Sequence, residues 1–212
     1  MMLISLSGCF GGNGPDDVRG DISNESTGPN ESEPEFSLGK TANNTYNNKF
    51  LGLSCTLPAE WVFFTDEQIL ELNNIVGDIL DEEVAERLKN ATIIYDMYAA
   101  YQTEGSNMNI NLEKLSALQL ISLDIKQILE ASISSIKSTY QNMGYTDTDV
   151  AYQKIKVDGK EFDGLKLTAK IQGINFYATI FTFRKGNYLA NVTVCSLQTD
   201  KCDTILSYFT VK

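Results

Sequence analysis

Residues 150–171, VAYQKIKVDGKEFDGLKLTAKI, read as two strands joined by a tight turn. Asp158-Gly159 is a two-residue hairpin signal, because both positions of such a turn need positive φ, which Asp and Gly tolerate. The signal recurs downstream, where Gln172-Gly173 and Lys185-Gly186 divide the chain into two further strands. From Asp149 onward the spacing predicts four consecutive antiparallel strands, a meander that decides the fold class.

Working outward, the longest helix is predicted over about 123–143. Its apolar positions 121, 125, 128, 129, 133, 136, 140 and 143 follow the helical period, Ser132, Ser134, Ser135 and Ser138 mark the other face, and Gly144 stops it. Residues 93–101 and 108–112 predict two more strands with a turn at 104–106. In the second, Met108, Ile110 and Leu112 alternate with Asn107, Asn109 and Asn111. Plain alternation in the first puts Tyr95 and Tyr101 on one face and Tyr98 on the other.

Further back, Leu51, Leu53, Cys55 and Leu57 alternate with small residues until Pro58 ends that strand. Thr65-Asp66-Glu67-Gln68 is a capping box, opening a helix with a stripe of Ile69, Leu72, Val76 and Ile79. Asp81-Glu82-Glu83 opens a second helix through about Lys89. A last helix over about 200–209 turns Ile205, Leu206 and Phe209 inward. The expected class is α+β, an antiparallel β-sheet of about six to seven strands with helices packed on both faces.

Composition narrows the chemistry. The chain has 212 residues, 42% of them hydrophobic, which suits one packed core with a tail. A net charge of −11 argues against nucleic acid and disfavours anionic lipid headgroups for the same reason. There is no histidine, which removes every His-based triad and His-zinc site. No stretch approaches the roughly 20 apolar residues of a membrane span. We expect no cofactor and no bound metal.

Leu6-Ser7-Gly8-Cys9 matches a lipobox, in which small residues precede a cysteine that is acylated after cleavage. Only eight residues precede Cys9, so residues 1–8 read as the remnant of a lipoprotein signal peptide whose start lies upstream. Residues 9–45 read as the lipidated Cys9 followed by a disordered acidic linker, with seven carboxylates against Arg19 and Lys40. Residues 46–212 are the expected domain. The localisation this implies is the outer face of a plasma membrane, with attachment through acylated Cys9. Cys195 and Cys202, separated by SLQTDK, are candidates for a disulfide in an oxidising compartment, and two unpaired thiols are the alternative.

The segment Tyr46-x-Asn48-x-Phe50-Leu51-Gly52-Leu53-Ser54-Cys55-Thr56-Leu57-Pro58-Ala59-Glu60-Trp61 carries a resemblance. With a capped helix, a long central helix and a closing meander holding Arg184-Lys185-Gly186-Asn187-Tyr188 after it, it resembles the PsbP-like α/β/α sandwich superfamily. More closely it is similar to lipid-anchored lipoproteins of that fold in Gram-positive gut bacteria. The resemblance covers about residues 46–212. It implies a binding or assembly role, because relatives of the fold bind partners without shared catalytic residues, and it supplies no catalytic motif.

Two function classes follow. The first is a tethered cell-surface domain, monomeric and non-catalytic, that binds a protein or glycan partner. Its expected contact area lies around Trp61 and the turn at Gly105, since loops on a rigid sheet carry such contacts. The second is a carboxylate-based hydrolase or glycan-binding protein acting on polysaccharide, which needs a facing pair of carboxyl groups. The acidic run Asp78, Asp81, Glu82, Glu83 and Glu86 lacks the glycine and alternating oxygens of a calcium loop and reads as a solvated helix face.

Overall fold

Seven strands form one antiparallel sheet and four form a second, in a computed structural model that describes residues 36–75 and 82–212. In chain order the elements are β1 (Lys40–Ala42), β2 (Thr45–Asn48), β3 (Leu53–Thr56), β4 (Val62–Phe63), α1 (Asp66–Leu72), α2 (Glu82–Asn90), β5 (Ile93–Tyr101) and β6 (Ser106–Lys114). They continue with α3 (Ala117–Ser122), α4 (Ile125–Asn142), β7 (Thr146–Val157), β8 (Lys160–Ile171), β9 (Ile174–Lys185), β10 (Tyr188–Leu197), α5 (Cys202–Leu206) and β11 (Phe209–Val211). The large sheet has the order β4-β5-β6-β10-β9-β8-β7 and the small one β1-β2-β3-β11. The class is α+β, as expected.

The meander forms as its turns dictate. Val157 pairs with Lys160 and Ile171 with Ile174, and both intervening dipeptides have positive φ. The third turn is Gly186-Asn187, one residue later than expected, because Lys185 pairs with Tyr188. Alternation then gives the large sheet two apolar faces. On one, Ala190, Val192, Val194 and Phe181 pack beneath the small sheet and α5. On the other, Leu165, Leu167, Phe176, Ala178 and Ile180 pack beneath Leu129, Ile136 and Tyr140 of α4. Helices do lie on both faces, but a second sheet, which the sequence reading lacked, is the main cover of one.

Four expectations are corrected. The first helix ends at Leu72, because the Asn73 side chain turns to the edge of β5: its Nδ2 donates to Tyr95 O (2.8 Å) and its Oδ1 accepts from Tyr95 N (2.8 Å). Val76 and Ile79 lie outside the described residues. The long helix forms over Ile125–Asn142 as expected, capped by Asp124, but Ile121 is not part of its stripe: it belongs to a separate short helix, α3, opened by a Ser116 capping box, and faces solvent. The last helix is only Cys202–Leu206; Phe209 is buried as expected, but in a strand paired with Cys55. Finally, the boundary at Tyr46 falls inside the unit. Phe36 stacks on Tyr188 (centroids 4.7 Å apart) and β1 pairs with β2, so contacts of the domain begin by Phe36.

Candidate functional site

β5 carries one carboxylate, Asp96, inside an otherwise apolar and aromatic strand. Tyr95 pairs with Asn111 and Met97 with Ile110, so Asp96 is an extra residue, a β-bulge. The bulge shifts the alternation by one. Ile94, Met97, Ala99 and Tyr101 consequently share the face under the small sheet. Tyr95 and Tyr98 share the other face, which overturns the expected grouping of Tyr95 with Tyr101.

The bulge aims Asp96 at the N-terminal segment. Its Oδ1 accepts from Gly39 N (2.7 Å); its Oδ2 accepts from Asn48 Nδ2 (2.7 Å) and, in a short bond, from Tyr46 Oη. Asn48 extends the network: Nδ2 also donates to Ser37 O (3.2 Å), and Oδ1 accepts from Leu51 N (2.8 Å). Asp96 is 5% exposed, and Tyr46 and Asn48 are deeper still. Burial raises the Asp96 carboxyl above its ordinary range, opposed by the bonds from Tyr46, Gly39 and Asn48. Burial also pushes the Tyr46 phenol well up, with the neighbouring Asp96 charge adding to it. Gly39 is required here for space, since a Cβ would run into the Tyr46 ring.

Beside this network lies a small cleft whose lining includes Leu38, Thr41, Phe64, Asp66, Asp96 and Tyr98. Most of its empty space is open to solvent; the enclosed room is about 10 Å³, that of a single water and far below the size of a small-molecule site. Asp66 sits exposed in the first turn of α1. Asp66 and Asp96 both line this cleft, but the Asp96 carboxyl already accepts three hydrogen bonds, and what the arrangement does is fasten residues 36–48 to β5. Among the described residues no three Cys, Asp or Glu side chains gather as a metal-binding group.

The residues singled out in the sequence fall elsewhere. Trp61 is 4% exposed, packed on Tyr101 (6.2 Å between centroids) and Tyr208 (6.3 Å), so its indole is a core group and offers no face to a ligand. Gly105 turns the β5–β6 hairpin at φ +66°, and a Cβ there would lie 2.5 Å from Leu197 Cδ1. The two positions do share one end of the sheet, since Tyr101, which touches Trp61, pairs with Ser106. Cys195 and Cys202 are free, so the expected bridge is corrected. Cys195 packs in the core under α4 and Cys202 in the core under the small sheet, on opposite faces of β10.

Cys9 lies outside the described residues, as do Asp78, Asp81 and the side chains of Glu82 and Glu83; Glu86 is exposed. Sequence reasoning missed Asp96, and the signal was available: a single carboxylate inside an apolar strand must be bonded if it is buried. No protein-family model and no curated protein matches this chain.

Proposed function

We propose that this chain is a lipid-anchored cell-surface domain of the PsbP-like α/β/α type that presents a surface to a protein or glycan partner and is not a catalyst. The observation that carries this reading is the use made of Asp96. The buried carboxylate, the group a hydrolase would need as its acid, is bonded by Tyr46, Asn48 and Gly39 and ties down the segment leading back to Cys9. A tethered domain benefits from such a fastening, because pull on the tether is then borne by the sheet.

The test is localisation followed by binding. Expressed behind a complete lipoprotein signal, the chain should enter the membrane fraction, and Cys9→Ala should release it. The domain should retain glycans or surface proteins without turning them over. The hydrolase reading draws on the shared cleft of Asp66 and Asp96; polysaccharide turnover abolished by Asp66→Asn would establish it instead.

A further inference from the structure

We infer that α3 is a membrane contact, with Leu118 and Ile121 entering the acyl region of an anionic bilayer surface while Arg184 and Lys185 meet its headgroups. Leu118 is 80% exposed and Ile121 85%, more than any other large apolar side chain among the described residues. Three residues apart on a helix, they lie on one face. Single exposed apolar residues are ordinary, but this pair stands on a built element. Ser116 and Gln119 close a capping box at its start. Arg184 Nη1 donates to Leu120 O (3.2 Å), and Leu115 N donates to Asn187 O (2.8 Å). The turn is therefore pinned to the β9–β10 hairpin.

Charge and position identify the occupant. The chain carries −11, yet α3 has no charged residue and its neighbouring hairpin tip supplies Arg184 and Lys185. Neither is in an ion pair among the described residues. The carboxylates nearest α3 along the chain are Glu113, part-buried, and Asp124, which caps α4, and Glu161 of β8 is exposed on the strand beside Arg184. Apolar side chains framed by cations are what an anionic lipid surface receives. Phe36, where the described chain begins, stacks on Tyr188, which pairs with both Lys114 and Lys185. The segment leading back to Cys9 thus leaves from the end of the sheet that carries α3, and the Gly105 turn occupies the opposite end of β6. Two attachments on one end would hold the Gly105 end outward. The orientation rests on the lipid-anchor reading; the contact itself does not.

The experiment uses the full chain carrying Cys9→Ser, without acylation, sedimented at low salt with phosphatidylcholine vesicles with or without 30% phosphatidylglycerol. Binding to the anionic vesicles should be at least tenfold stronger than to the neutral ones. Leu118→Asp with Ile121→Asp should remove it at least tenfold with an unchanged melt, and Arg184→Glu with Lys185→Glu should abolish the preference for anionic lipid. Equal binding by the Asp double variant, or no binding by the parent, overturns the proposal. So does a parent that is dimeric, becomes monomeric in the Asp variant and ignores vesicles, since a second copy then covers α3. Because the protein is unacylated, failure here is distinguishable from failure of Cys9 to carry an anchor, which the fractionation reads.

Discussion

Asp96 is the residue on which the N-terminal segment depends. Asp96→Asn keeps the shape but turns an NH₂ toward groups that donate, and at neutral pH it should cost about 1–3 kcal/mol. The pH dependence has a definite sign. Because burial raises the folded carboxyl above its ordinary value of 3.8, folding takes up a proton on acidification, and the parent gains stability as pH falls from 7 toward that value. Below it both states are protonated and the gain is complete. The amide variant lacks this contribution, so urea melts at pH 7, 6, 5 and 4 should show the gap between parent and variant widening; a narrowing gap would mean the fold prefers the carboxylate. Nothing in the spacing of residues announced this site. Its partners Gly39, Tyr46 and Asn48 come from about 50 positions earlier in the chain, and the bulge that aims Asp96 at them breaks the alternation on which strand reading depends.

At the scale of elements, the local signals were reliable and their ends were not. The Thr65 capping box formed with both its bonds, and 93–101 became a strand with the expected bounds, because hydroxyl caps and alternating apolar residues act over a few positions. The first helix stopped early for a tertiary reason, the pairing of Asn73 with Tyr95. That side chain occupies the backbone groups of β5 beyond the reach of β4, which pairs only with Ala99 and Ala100, and so shields an open sheet edge. Asn73→Ala should cost about 1–2 kcal/mol and raise the exchange rate of the Tyr95 amide, readable by hydrogen exchange. A larger effect belongs to β1 and the residues before it. A chain beginning at Tyr46 loses Phe36, Gly39 and β1 while leaving Asp96 with fewer donors. It should melt about 10 °C below one beginning at Phe36, taking a loss of about 3 kcal/mol at 2–4 °C each; equal melting temperatures would place no stability in residues 36–45.

The described residues build a large sheet with a separate core on each face, one of them closed by the small sheet, and this arrangement decides the fate of the thiols. Burial pushes Cys55 up to about 12 and Cys202 to about 11, and raises Cys195 as well. Alkylation of the native protein should leave all three unmodified; alkylation in denaturant should modify all three, and peptide mapping should find no bridge between Cys195 and Cys202. A short spacing such as theirs suggests proximity but is silent about which face of the sheet each thiol lies on: Cys195 of β10 points into the core under α4, while Cys202 of α5 packs on the other face beside Val194 and Ser196. The meander and the class were legible because they follow from adjacent strands; the small sheet was not, because β11 joins β3 across about 150 residues. That pairing also sets when the protein can become itself. β11 closes a sheet whose other strands lie about 150 residues earlier, so a nascent domain stays incomplete, and threadable through a narrow pore, until β11 itself has been made.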